Sequence, residues 1–207
     1  GNLDDADGFA NGISSQFNKA YGITTDGTNL YVADTDNNTI RKIVLSSGVV
    51  STLAGTFSMP YGITTDGTNL YVADSHNNEI QKIIISSGAV SRFAGYMQST
   101  FADDPDGIIV TATNPISNGI TDSRFDFPSG ITTDGKNLYL CERYNHTIRK
   151  ISISSGVVTT IAGMPGTYGN TNRPDVSLFY EPEGITFLNN KLYICDTLNN
   201  AIRIINP

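Results

Sequence analysis

The segment Tyr21 to Asp34, Tyr-Gly-Ile-Thr-Thr-Asp-Gly-Thr-Asn-Leu-Tyr-Val-Ala-Asp, recurs without change from Tyr61 to Asp74. A looser third copy runs from Ser129 to Glu142, and a fourth from Glu183 to Asp196. The anchoring glycines are Gly22, Gly62, Gly130 and Gly184, spaced by 40, 68 and 54 residues. The unit is therefore about 40 residues, with insertions between later copies. A period of this size means a repeated supersecondary unit whose apolar faces are buried only by stacking on neighbours.

Each unit reads as four short strands. In the first, Gly22–Thr25 is strand-like and Asp26-Gly27 is a hairpin signal, because glycine accepts positive φ and aspartate tolerates the turn. Leu30–Ala33 is the second strand, and Asp34–Asn38 is an Asp/Asn-rich turn. Thr39–Leu45 alternates apolar and polar residues, Ser46-Ser47-Gly48 turns the chain, and Val49–Gly55 is the fourth strand. Alternation with period two excludes helix. Copies stacked around an axis bury both faces of such sheets, so an all-β propeller of four-stranded antiparallel blades is expected. A flat solenoid has shorter repeats and is the lesser reading. The whole chain, 1–207, is read as one domain with repeats at about 17–55, 57–95, 125–163 and 179–207.

The composition agrees. Hydrophobic residues make up 39%, enough for a core, whereas charged residues make up only 16%, too few for a helical bundle. Net charge is −7 with no Lys/Arg cluster, which argues against nucleic acid. No apolar run reaches the ~18 residues of a bilayer span. No signal peptide is visible, so the sequence is read as a mature or excised product. Cys141 and Cys195 belong to no CxxC or CxxCH pattern, which excludes a zinc knuckle and a c-type haem within the chain. They replace Ala33 and Ala73 of the earlier copies and are expected to pack inside as small hydrophobes without forming a disulfide. No cofactor is expected.

The segment Phe125–Ile131 (Phe-Asp-Phe-Pro-Ser-Gly-Ile), the runs Asn-Leu-Tyr-Val-Ala-Asp and Thr-Ile-Arg-Lys-Ile, and the closing Val-Val-Ser-Thr-Leu-Ala-Gly resemble the NHL repeat, in its bacterial form, over nearly the whole chain. The resemblance implies a propeller, usually of six blades. Only four units are present, so either a closed small propeller or an arc of a larger ring is expected. Residues 1–16 look like a linker after a missing outer strand, and the last unit stops before its fourth strand. An open arc would expose more apolar surface than monomers tolerate, so completion by self-association or by a protein partner is expected.

Several positions are candidates for chemistry. Asp34, Asp74, Glu142 and Asp196 end the second strand of each unit, and Arg41, Gln81, Arg149 and Arg203 follow seven residues on. A hairpin brings these ends together, so Asp34–Arg41, Glu142–Arg149 and Asp196–Arg203 are read first as structural acid–Arg pairs and only second as a ligand-binding ring. The turn after the acid varies, with Asp36, His76, Tyr144 and Leu198 at one equivalent position. Variation at one point of a repeat is where binding specificity can reside; the plainer reading is a solvated loop tip. His76 and His146 occupy different repeat positions and make a poor metal set. Asp5, Asp7, Asp104 and Asp106 lie in Asp-x-Asp-Gly segments that share part of the calcium-loop spacing but lack its first and twelfth ligands, so acidic turns are expected there and no metal. Asn37-Asn38-Thr39 and Asn145-His146-Thr147 fit the glycosylation sequon, which carries no meaning in a bacterial chain. The insertion 96–124 is the least repeat-like stretch, with Ile108–Thr111 as a further strand candidate and either a partner-binding or a capping role.

No catalytic constellation emerges. The expected role is a non-catalytic scaffold for protein interaction or assembly, secreted, periplasmic or on the cell surface. The alternatives are a propeller enzyme of the lyase or lactonase type, and a sensor or carbohydrate-binding module in which Tyr144, Tyr168 and Tyr180 stack on a small-molecule or glycan ligand.

Overall fold

A computed structural model describes residues 12, 15–95, 124–171 and 177–207. The chain is all-β, a four-blade propeller. Blade 1 comprises β1 (Ala20–Thr25), β2 (Asn29–Asp34), β3 (Thr39–Val44) and β4 (Val50–Gly55). Blade 2 comprises β5 (Pro60–Thr65), β6 (Asn69–Asp74), β7 (Glu79–Ile84) and β8 (Val90–Gly95). Blade 3 comprises β9 (Pro128–Thr133), β10 (Asn137–Glu142), β11 (Thr147–Ser152) and β12 (Val158–Ala162). Blade 4 has three strands among the described residues: β13 (Pro182–Leu188), β14 (Lys191–Asp196) and β15 (Ala201–Ile205). Every sheet is an antiparallel meander in chain order. The inner strand starts earlier than its Gly-Ile-Thr core, with Ala20 paired to Asp34 before a bulge at the glycine.

The hairpin between the first two strands is locked by one carboxylate. Asp26 Oδ1 accepts the N–H groups of Thr28 and Asn29, and Oδ2 accepts the Tyr31 hydroxyl at 2.7 Å and the Asn29 side chain at 3.0 Å. Asp66 with Tyr71, and Asp134 with Tyr139, repeat the arrangement. Blade 4 uses Asn189-Asn190 instead, both at positive φ, a conformation that asparagine tolerates better than most residues.

Burial explains why the blades stack. Tyr31, Ala33, Ile40 and Ala54 of blade 1 meet Ile63, Leu70, Val72 and Ile83 of blade 2. Tyr71, Ala73, Ile80 and Ala94 meet Ile131, Leu138, Leu140 and Ile151 in the next seam. Tyr139, Cys141 and Ile148 meet Leu192 and Ile194 in the third. Along the axis, β5 packs on β1, β9 on β5 and β13 on β9. The glycines make this approach possible: a Cβ on Gly22, Gly62 or Gly130 would collide with the carbonyl oxygen of Tyr61, Ser129 or Glu183 on the following blade.

The seam between blade 4 and blade 1 is not packed in this way. Ile23 is 60% exposed where its equivalents Ile63 and Ile131 are 5% and 6% exposed, and Ile202 is 64% exposed where Ile40, Ile80 and Ile148 are fully buried. The expectation that both cysteines pack inside is corrected here. Cys141 is buried in the third seam, which pushes its thiol pKa up, but Cys195 is exposed, since among the described residues no blade packs on that face. Both thiols are free.

Candidate functional site

Three of the four acid positions form buried ties to an arginine. Arg41 Nη1 lies 3.1 Å from Asp34 Oδ2, Arg149 Nη1 2.7 Å from Glu142 Oε2, and Arg203 Nη1 2.8 Å from Asp196 Oδ2, all with buried side chains. Each guanidinium also lies over the ring of an incoming phenylalanine, Phe17, Phe125 or Phe179, at 5.0–5.5 Å. The other carboxylate oxygen accepts a backbone N–H of that incoming segment, from Asn18, Asp126 or Tyr180. The acid, the arginine and the phenylalanine therefore clamp the chain as it enters each blade. Blade 2 departs from this pattern. Asp74 keeps the Ser58 N–H, while Gln81 turns to Glu79, which also meets Arg92 of β8 at 3.4 Å. Burial without an arginine raises the Asp74 pKa.

The sequon asparagines serve the same acids. Asn37 Nδ2 donates to Asp34, and Asn145 Nδ2 to Glu142.

The variable tips all lie at one end of the blades, beside the starts of the inner strands. Their backbone N–H groups hold the incoming segment: Asp36 N–H donates to the Asn18 carbonyl, His76 to Ser58 and Leu198 to Tyr180. The side chains then diverge. Asp36 pairs with Lys19 Nζ at 2.7 Å, a contact that raises the lysine pKa. His76 and Tyr144 both meet the Phe127 ring, with centroids at 5.5 and 5.1 Å. Leu198 is exposed and joins neither group.

A central cavity of about 430 Å³ is lined by the starts of β1, β5, β9 and β13, with Cys195 and Thr197. On its wall, Tyr21 stacks on Tyr61 at 4.5 Å, and Tyr61 meets Phe127 edge-on at 5.3 Å. Tyr144, which meets Phe127 at 5.1 Å, extends these rings into a continuous aromatic arc. Burial and the neighbouring Tyr21 raise the pKa of Tyr61. Arg143 lies over Phe127 and Tyr144 and bridges Glu181 Oε2 at 2.9 Å and Glu183 Oε1 at 3.2 Å. Burial works against the Arg143 charge, but these two carboxylates outweigh it and raise the pKa. A second cluster places His146 against Tyr168 and Tyr180, which stack on each other at 4.6 Å. Among the described residues no group of three or more His, Cys, Asp or Glu is arranged to hold a metal ion. Asp5, Asp7, Asp104, Asp106 and nearly all of the 96–124 insertion lie outside the described residues.

Sequence reasoning weighed the loop tips and missed the position just before each Gly-Ile pair: Tyr21, Tyr61, Ser129 and Glu183. The signal was available, since that position also varies inside otherwise constant copies.

No family model matches the chain. A human protein, NHL repeat-containing protein 2, is 33% identical over 87 residues, covering 40% of this chain and 12% of that protein. An auxiliary nutrient binding protein from Bacteroides ovatus superposes over 93% of this chain and 49% of its own, with a TM-score of 0.69 and 17% identity. One from Bacteroides thetaiotaomicron gives 89%, 47%, 0.68 and 19%. A streptogramin B lyase matches 97% of this chain and 57% of its own at a TM-score of 0.59 and 16% identity. The chain thus spans about half the length of these solved structures, and the likeness to them is one of fold. Among the described residues no helix is long and apolar enough to cross a membrane. The chain is thus a β-propeller array whose repeats are similar, over 87 residues, to those of an NHL repeat-containing protein.

Proposed function

We propose that this chain is a non-catalytic, extracytoplasmic binding scaffold whose ligand sits at the mouth of the central cavity. The observation that carries this reading is a contrast within the repeats. The acid, hairpin and seam residues are nearly constant, whereas positions that vary over the four copies carry the aromatic and charged residues of one end: Tyr21, Tyr61, Phe127, Arg143, Tyr144 and Glu183. A cavity of about 430 Å³ falls in the range for small ligands, typically roughly 300–1,000 Å³. Aromatic faces beside an Arg–Glu pair suit a molecule with a flat apolar face and polar edges, as a sugar ring has. The nutrient-binding description of two fold neighbours is in keeping with a binding role.

A lyase-type enzyme is the second reading, supported by Glu183, which lies on the cavity wall. A glycan array with titration calorimetry separates the two. Binding that Tyr61→Ala and Tyr144→Ala each weaken at least tenfold, with no turnover of the bound sugar, is expected. No sugar bound, or turnover abolished by Glu183→Gln, would overturn the binding reading.

A further inference from the structure

We infer that the ligand of the cavity is a sugar carrying a free, protonated amino group, and that Glu183 receives that group. The inference rests on the binding reading above and names its substrate class. It uses only residues of blades 2, 3 and 4, whose mutual seams are packed.

The inner strands of these blades stand side by side, β5 on β9 and β9 on β13. At the position before the glycine they carry Tyr61, Ser129 and Glu183, and all three line the cavity. The middle residue is the small one. Its hydroxyl turns to the backbone and donates to the Pro182 and Glu183 carbonyls at 3.2 Å. An aromatic residue and a carboxylate thus flank a point where the wall carries only a hydroxymethyl group. The charges of Glu183 and Arg143 both reach the Tyr61 hydroxyl.

Charge decides which sugar fits. Glu181 and Glu183 share a single cation, Arg143, whose Nε lies 2.9 Å from Glu181 Oε2 and whose Nη1 lies 3.2 Å from Glu183 Oε1. This corner therefore keeps a negative charge in excess. Arg143 is also held over Phe127 and Tyr144, at 5.8 and 5.5 Å, so the protein itself occupies it. Glu183 has 41% of its side chain exposed against 21% for Glu181, and among the described residues it makes no ion pair beyond Arg143. It is the carboxylate with surface left for a ligand.

The aromatic residues bias the corner the same way, because a π face attracts cations. An acidic sugar would meet the excess negative charge and find Arg143 already shared between two acids. A neutral sugar would leave the Glu183 charge uncompensated. An ammonium group offers Glu183 a charge-assisted hydrogen bond while the C–H face of the ring lies on the aromatic residues.

Titration calorimetry with two trisaccharides tests this: the fully deacetylated chitin trimer and cellotriose, which differ in an ammonium against a hydroxyl on each ring. The pH is kept below the pKa of the amine. The amino sugar should bind at least about tenfold more tightly, the size of a hydrogen bond between charged groups, and the ratio should shrink as salt is added. Glu183→Gln, close in shape but uncharged, should bring the ratio to near one. The ratio separates a lost charge from a general loss of binding, and the wild-type comparison stands without any variant. Equal binding of the two sugars, or a preference that Glu183→Gln leaves intact, would overturn this inference while the sugar reading stands. Binding of neither would overturn both.

Discussion

Asn78 Oδ1 accepts the Phe127 N–H at 2.8 Å across the seam between blades 2 and 3. Asn38 does the same for Met59, and in the third seam His146 Nδ1 takes over, accepting the Glu181 N–H at 3.1 Å. All three acceptor residues sit at positive φ, near 55°, at the end of the turn after the second strand. The side chain that stabilises this turn is thus also a latch onto the next blade.

The histidine latch is sensitive to pH. Burial lowers the His146 pKa from 6.5, and protonating Nδ1 would abolish its role as acceptor. A depressed histidine pKa contributes stability that is present above about 6.5 and lost as pH falls through the folded value. Thermal melts should therefore show stability falling below pH 6.5 in the wild type, and a weaker fall in His146→Asn, which restores the residue of the other blades. His146→Ala should cost about 1–3 kcal/mol at neutral pH, from the unpaired N–H and the left-handed backbone.

The clamp of Glu142 and Arg149 is buried, so removing one partner strands the other. Arg149→Met should destabilise by about 3–5 kcal/mol in urea titrations, while the double change with Glu142→Leu should recover much of that loss. The converse holds in blade 2. Gln81→Arg gives buried Asp74 a counter-charge, and nuclear magnetic resonance titration should show the raised carboxyl pKa fall.

The hairpin carboxylates and their tyrosines set a second pH dependence. Burial, together with the hydrogen bond to Asp26 or Asp134, pushes Tyr31 and Tyr139 up to about 12. A raised pKa contributes stability that is complete below the unfolded value near 10 and lost as pH rises through about 12. Asp134 behaves in the opposite sense. Burial raises its pKa, but hydrogen bonds from Asn137, Lys136 and Tyr139 outweigh that and lower it to about 2. Its contribution should be present above about 4 and lost as pH falls toward 2. Unfolding followed by circular dichroism should show both limbs, and Tyr139→Phe should flatten the alkaline one.

Glycine substitutions distinguish packed seams from the open one. Gly62→Ala should destabilise the fold by about 1–3 kcal/mol or more, since its Cβ meets the Ser129 carbonyl of the next blade. Gly184→Ala meets only the Cys195 side chain, at 3.2 Å, within its own blade. It should barely change the melting temperature, which thermal melts of the two variants side by side would show.

The blades were legible because period-two alternation and Asp-Gly turns recur at fixed offsets, and the acid–Arg spacing of seven places both groups at one hairpin end. The cavity mouth was only half legible. Tyr144 and His76 stood out as differences at one loop position, but their shared partner Phe127 leads into the blade of Tyr144 and lies one blade on from His76, so no spacing within a single repeat shows that the three meet. Cys195 misled because its equivalents are all buried. Burial here is a property of the neighbouring blade, and among the described residues none packs on that face of blade 4.

The account rests on one inter-blade interface, packed three times and open once. The most direct measurement is urea unfolding of Ile63→Ala beside Ile23→Ala: the first is predicted to cost about 2–5 kcal/mol and the second much less, whereas equal losses would contradict the account.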